Sequence, residues 1–82
     1  MPTVASFRGF RVAIQIKEHG PAHVHVFKDK NEAVFILNCP SGPLKLRENV
    51  GFKRSELGDV ADELAKRLPS LCRKWTQIHG NL

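Results

Sequence analysis

The sequence predicts an α+β fold: a small, mainly antiparallel sheet of about four strands, followed by two C-terminal helical segments packed on one face. Two observations carry this prediction. The first half of the chain alternates apolar and polar residues, as strands do, whereas the last third has the apolar spacing of an amphipathic helix. The length of 82 residues fits a single domain over 1–82, with the sheet at about 3–47 and the helices at about 55–68 and 69–79.

A β-hairpin is predicted in the first third of the chain. Residues 10–17 alternate cleanly, as a half-buried strand does. Its apolar face consists of Phe10, Val12, Ile14 and Ile16. A shorter segment, 3–8, pairs beside it as an edge strand. After Gly20-Pro21 the alternation resumes at 23–28, so strands 10–17 and 23–28 are expected to pair.

A strand at 32–39 is predicted to be buried on both sides, because Val34 to Leu37 are all large and apolar. The C-terminal helices cover one of its faces. The other face needs a crossing segment or a second protein chain, and self-association is the simplest cover. A turn at 40–43 then leads into a short strand at 44–47.

Two helices are predicted after this sheet. Ser55 is the expected N-cap of the first helix. The apolar stripes of the two helices are Leu57, Val60, Ala61, Leu64 and Leu68, then Leu71, Cys72, Trp75 and Ile78. Pro69 is costly inside a helix, so the first helix ends near Leu68 and the second begins with Pro69 in its first turn. Gly80 is expected to cap the second helix.

Composition and charge indicate where in the cell the protein is expected and which class of partner it favours. Thirteen Lys and Arg against eight Asp and Glu give a net charge of +5, which favours polyanions or an acidic partner. The longest apolar run, 33–37, is too short to cross a bilayer and the N-terminus lacks a signal-peptide pattern, so we expect no membrane association and a cytoplasmic location. Cys39 and Cys72 form no Cys-x-x-Cys pair, and two free, partly buried thiols are expected in a reducing cytoplasm.

A cluster of histidines is the most distinctive local feature. His19, His23 and His25 lie within seven residues at the tip of the predicted hairpin. The chain has no Gly-rich phosphate loop, no Cys-x-x-Cys zinc motif, no nucleophile elbow and no His-Glu-x-x-His motif. Most familiar enzyme classes are therefore unsupported, and the histidines are the main candidates for chemistry.

The hairpin register decides how these histidines are placed. If residue 19 pairs with 23 and residue 17 with 25, the three histidines share the solvent-facing polar face of the hairpin with Lys17. In that register Glu18 lies on the opposite face and is a poor candidate for ligation. Glu32 or Asp29 can approach the histidines from the next turn.

Three chemistries fit this cluster, and the residues alone leave all three open. His19, His23 and His25 can ligate a divalent metal ion such as zinc, with one position left to water. The imidazoles can instead exchange protons with a phosphodiester beside Lys17 and Arg11, as a metal-free ribonuclease requires. In the third alternative they only hydrogen-bond the backbone around the Gly-Pro turn.

The sequence also resembles a known family. The opening Met1-Pro2-Thr3-Val4, the segment 18–26 with its His-x-Pro-x-His-x-His core, and the late Trp75 resemble the short bacterial proteins grouped as domain of unknown function 4160. The chain carries Glu18 where members typically have Asp, and Ala22 where they have a second Pro. The resemblance implies a small α+β fold, a bacterial or phage-related origin, and a neighbouring gene of another small family, an arrangement similar to toxin–antitoxin pairs.

The combined expectation is a toxin-like component of a two-protein module that acts on RNA or another nucleic acid. His19, His23, His25 and Lys17 are the expected catalytic residues, and the same three histidines are the candidate metal ligands. The expected partner is a small antitoxin-like protein or a second copy of the chain. The principal rival is a non-enzymatic protein-binding or regulatory module with structural histidines, and the third alternative is a small metal-binding hydrolase.

Overall fold

The computed structural model describes residues 2–80, so residues 1, 81 and 82 of the predicted domain lie outside it. In chain order, its elements are β1 (Thr3–Phe7), β2 (Phe10–Ala13), β3 (His23–Lys28), β4 (Asn31–Ile36), β5 (Lys45–Val50), α1 (Arg54–Lys66) and α2 (Leu68–His79). The strands form one antiparallel sheet in the order β1-β2-β3-β4-β5. The predicted α+β fold is confirmed, and the edge segment at the N-terminus brings the described sheet to five strands.

Strands β2 and β3 pair in a register that differs from the predicted one. Ala13 lies opposite His25, whereas the alternation predicts residue 17 at that place. Strand β2 ends at Ala13, and residues 14–22 form the connection to β3. Both registers place the same residues on the same faces, because they differ by an even number of residues. The apolar pattern thus fixes the face of each side chain without fixing how far the pairing extends.

The hydrophobic core lies between one face of the sheet and the two helices. Ile14, Val24 and Val26 are buried there with Leu64 and Leu71, as predicted. The alternation places Ile16 on the same face, but it is 61% exposed because β2 ends before it. The rest of the buried cluster consists of Phe10, Val12, Ala33, Phe35, Leu37, Phe52, Val60, Leu68, Cys72 and Trp75.

Strand β4 is buried on both sides, as its sequence predicts. Phe35 belongs to the core, while Val34, on the opposite side, is equally buried. Val34 pairs with His25, and residues 14–22 bring Glu18 to this side of the sheet. Both faces of β4 are covered within a single chain, so its apolar character does not require self-association. The edge strand β5, in contrast, is exposed along its whole length.

Helix α1 begins slightly earlier than the sequence predicts. Its N-cap is Lys53 rather than Ser55, and the Lys53 N–H donates to the Glu56 carboxylate at 3.0 Å. The ring of Phe52 is buried in the core just before the helix. This anchor fixes the chain at residue 52, so the helix starts as soon as the backbone leaves it.

Helix α2 follows the predicted pattern. Pro69 lies in its first turn, where a missing N–H is not needed. Gly80 caps its end with a φ of 86°, and the Gly80 N–H donates to the Thr76 carbonyl at 2.7 Å. Within residues 2–80, neither helix has the length and apolarity required to cross a membrane.

A disulfide between Cys39 and Cys72 joins the loop between β4 and β5 to α2. The expectation of two free thiols is therefore wrong for this structure. The loop after Cys39 packs on the start of α2: a Cβ added at Gly42 would lie 3.3 Å from a Leu68 methyl group. This packing brings the Cα atoms of the two cysteines to 5.9 Å, a proximity that their sequence spacing does not reveal.

Reduction of the disulfide is expected to lower the free energy of unfolding by about 2 to 4 kcal/mol, because the crosslink restricts the unfolded chain. Urea unfolding of the oxidised protein with and without dithiothreitol measures the difference. The Cys39→Ser, Cys72→Ser double variant controls for other effects of the reductant and should not respond to it. Equal unfolding midpoints for the oxidised and reduced wild type would contradict the expectation.

Candidate metal centre

His23 and His25 lie on one face of β3, opposite to Val24 and Val26, as the alternation predicts. They are not solvent-facing, however: the two residues are only 1% and 6% exposed. The His23 ring packs against the indole of Trp75, with the ring centroids 5.1 Å apart. The two histidines are therefore a buried pair that must find partners inside the protein.

His19 and Lys17 are not part of this pair. Both are exposed in the connection 14–22, and neither hydrogen-bonds to His23 or His25. The predicted placement of all three histidines and Lys17 on one strand face fails because β2 ends at Ala13. The structure brings together two of the three predicted histidines.

Glu18 takes the place expected for His19. Its carboxylate Oε1 lies 3.0 Å from Nε2 of His23 and also contacts Nε2 of His25. The sequence places Glu18 on the opposite face, and this is wrong because the residue lies in a connection, where strand alternation does not apply. One carboxylate oxygen therefore bridges two buried imidazoles.

The other nitrogen of each imidazole also has a partner. His23 Nδ1 donates to the carbonyl of Pro21 at 2.8 Å, and His25 Nδ1 donates to Oε2 of Glu32 at 3.0 Å. A carbonyl and a carboxylate can only accept, so both Nδ1 atoms carry the proton. Carboxylate or carbonyl acceptors at one ring nitrogen are typical of histidines that bind a metal through the other.

These proton positions create an electrostatic requirement at the centre of the cluster. A neutral imidazole that is protonated at Nδ1 presents a lone pair at Nε2. Two such lone pairs would then face the anionic Glu18 carboxylate, which is repulsive. Positive charge must enter between them, either as protons on the imidazoles or as a bound cation.

The pKa of Glu18 depends on its burial and on its contacts with the two imidazoles. Burial is the largest single influence and raises the pKa of the carboxyl group, but the hydrogen bonds from His25 and His23 and the charges of these rings lower it by more. The net result is a pKa below the ordinary value of 4.5. The carboxylate of Glu18 is therefore held in its ionised form by the two imidazoles.

Aromatic rings continue the cluster on both sides. Trp75 also stacks on His79, with the centroids 4.0 Å apart, and His79 Nε2 donates to the Gln15 carbonyl at 2.8 Å. On the other side the ring of Phe27 lies nearly parallel to His25, at 6.2 Å. The side chains of Glu18 and Glu32 are 34% and 41% exposed, so these two carboxylates lie between the buried histidine pair and solvent.

The sequence contained a signal for one of the two carboxylates. A tight turn at Asp29-Lys30 places Phe27 opposite Glu32, as observed, and so puts Glu32 next to His25 on the same face. Glu18 gave no comparable signal, because the path of residues 14–22 follows no periodic pattern. Trp75 was predicted in the core but not as a contact of His23.

Replacing Glu18 by Gln is expected to make stability less dependent on pH in the acid range. Because the pKa of Glu18 is lowered in the folded protein, its contribution is present above 4.5 and is lost as the pH falls below that value. Urea unfolding between about pH 3 and pH 6 should show wild type and Glu18→Gln converging in acid. Glu48→Gln, at an exposed position in β5, is the control; a Glu18→Gln effect that does not vary with pH would contradict this prediction.

Comparison with known families gives a result that fits the histidine segment. Residues 9–76 match the domain of unknown function (DUF4160). No curated protein and no solved structure matches the chain significantly. The matched region contains both histidines of the pair and both carboxylates that contact them. The chain thus belongs to the family of the domain of unknown function DUF4160.

Proposed function

We propose that the chain binds one divalent metal ion, with zinc as the first candidate, and is a small metal-dependent hydrolase. The observation that carries the proposal is the convergence of two imidazole Nε2 atoms on one carboxylate while both Nδ1 atoms are engaged elsewhere. The ligands are His23, His25 and Glu18, whose ligand atoms lie within 4.8 Å of one another. Glu18 therefore replaces His19 among the ligands expected from the sequence.

The spacing of these atoms suits a tetrahedral ion. Zinc binds nitrogen and oxygen at about 2.0 to 2.1 Å, so its ligand atoms are separated by about 3.3 Å. His23 Nε2 and Glu18 Oε1 are already 3.0 Å apart. Two imidazoles and one carboxylate form a ligand set that zinc and its first-row neighbours accept.

The cluster also has the features that a hydrolytic site needs. Three protein ligands leave one position of a tetrahedral ion open, and zinc in such a site lowers the pKa of bound water to about 7. The exposed side of Glu18 gives a substrate access to this position. Pro21 and Glu32 hold the imidazole rings in the tautomer that ligates.

The metal-free acid–base alternative is less well supported. A general acid or base must have a ring nitrogen within reach of the substrate. All four ring nitrogens of His23 and His25 contact partners inside the protein, so a substrate must displace Glu18 to reach an Nε2 atom, whereas a metal ion can be ligated by Glu18 and both Nε2 atoms together. A purely structural role would use the same hydrogen bonds, and metal titration separates that role from ligation.

Zinc titration of the metal-free protein is expected to show one site that requires His23 and His25. The His23→Gln, His25→Gln double variant should lose binding, because it removes two of three ligands, while His19→Gln should bind as the wild type does. Isothermal titration calorimetry near neutral pH measures this. Binding should weaken in acid, because protons compete with the ion for the imidazoles.

A second pair of variants distinguishes loss of a ligand from loss of the fold. Glu18→Gln alters only the partly exposed ligand, and Glu32→Ala removes the outer partner of His25. The latter should weaken zinc binding about 10- to 100-fold. Circular dichroism monitors folding. Absence of zinc binding by the wild type, or unchanged binding by the folded Glu18→Gln variant, would overturn the proposed site.

We further propose the biological setting that the sequence suggests: a toxin-like component of a bacterial two-protein module that acts in the cytoplasm on RNA or another nucleic acid. The net charge of +5 supports a polyanionic substrate. The gene pairing implied by the family resemblance supports a small antitoxin-like partner.

Expression of the wild-type chain in a bacterial host without the neighbouring gene is expected to slow growth. The Glu18→Gln, His25→Gln double variant should relieve the inhibition, because it removes two of the proposed ligands, whereas His19→Gln should inhibit as strongly as the wild type. Growth curves at equal protein levels, verified by immunoblot, measure the effect. Equal inhibition by the double variant, or none by the wild type, would contradict the toxin proposal.

A further inference from the structure

Arg11 lies on the same face of the sheet as the histidine pair. Arg11 pairs with Phe27 across β2 and β3, and Ala13 pairs with His25 two residues further along β2. Residues two apart on a strand share a face and are separated by about 6.5 Å. Arg11 is therefore a diagonal cross-strand neighbour of His25, and such neighbours lie about 7 to 8 Å apart.

The guanidinium of Arg11 is held in place by its neighbours. It lies over the ring of Phe27, 4.8 Å from the centroid, and Nη1 donates to the Thr3 hydroxyl at 3.3 Å. Phe27 in turn lies parallel to His25. Stacking orients a planar guanidinium and leaves its edge free for hydrogen bonds.

Arg11 has no carboxylate partner among residues 2–80, unlike Arg8 and Arg67, which pair with acidic residues of α1. A guanidinium carries five N–H donors, and the bond to Thr3 uses one of them. Most of its hydrogen-bonding capacity is thus available to an anion. Planar pairs of N–H groups match the oxygens of phosphate and carboxylate.

We propose that Arg11 is the anion-binding residue of the proposed metal site, and that the substrate class is a phosphate ester whose phosphoryl group spans Arg11 and the ion. The inference rests on the proposed metal-dependent hydrolysis and adds its substrate chemistry. In that reaction the oxygen of one water forms a bond to phosphorus, the bond from phosphorus to the leaving oxygen breaks, and the leaving oxygen takes a proton. Nucleic acid phosphodiesters and small phosphate esters share this chemistry.

The test uses the full chain loaded with cobalt(II), and inorganic phosphate is the probe. The visible absorption of cobalt(II) changes when an anion binds to it, so phosphate binding can be titrated directly. Arg11→Gln should weaken phosphate binding about 10- to 100-fold, because it removes a charge-assisted hydrogen bond to the anion. Arg73→Gln, which removes the same charge from an exposed position on α2, should leave phosphate binding unchanged. All three proteins should take up cobalt with equal affinity.

The outcomes test the role of Arg11 separately from the proposed metal site. Equal phosphate affinity of wild type and Arg11→Gln, with normal cobalt uptake, would overturn the role of Arg11 and leave the metal site standing. Equal weakening by Arg73→Gln would also overturn it, because only net charge would then matter. Failure of the wild type to take up cobalt would overturn both. Arg11→Lys should regain part of the affinity lost in Arg11→Gln, since the charge is restored without the planar fork.

Discussion

The bridging of two buried imidazoles by one carboxylate is the contact around which the described part of the chain is arranged. Buried polar atoms must find hydrogen-bond partners, and His23 and His25 have four ring nitrogens to satisfy. Their partners come from the connection 14–22 and from β4. No buried side-chain nitrogen or oxygen among residues 2–80 lacks a partner. The contacts of the histidines are therefore among those that hold the connection in place, together with the burial of Ile14 and the bond from His79 to the Gln15 carbonyl.

The same contact gives the cluster its chemical character. With both Nδ1 atoms acting as donors, each Nε2 atom either donates a proton to Glu18 or turns a lone pair toward its anionic oxygen, so the centre needs positive charge in the form of protons or a cation. A metal ion bound at the two Nε2 atoms supplies that charge and leaves both Nδ1 hydrogen bonds in place. Arg11 adds a second cationic group on the same face, fixed over Phe27. We therefore propose that one face of the sheet combines a cation site with an anion site, whereas the other face carries the hydrophobic core.

The sequence was informative where structure is periodic. Alternation along β3 correctly separated Val24 and Val26 from His23 and His25. Pro69 indicated the break between the helices, which falls two residues earlier, at Arg67. The remaining features depend on contacts distant in sequence. The end of β2 at Ala13 changed the register and removed His19 and Lys17 from the cluster, while Glu18 entered it from an irregular segment. The link between Cys39 and Cys72 depends on how a loop packs against α2, which no local pattern encodes.

Direct binding of a metal ion by Glu18, His23 and His25 can be measured at the ion itself. Zinc K-edge X-ray absorption of protein loaded with one equivalent of zinc measures the ligand atoms. We expect two imidazole nitrogens and carboxylate oxygen at about 2.0 to 2.1 Å, and the loss of one imidazole contribution in the His25→Gln variant. A spectrum with sulfur ligands, or one unchanged in His25→Gln, would contradict it.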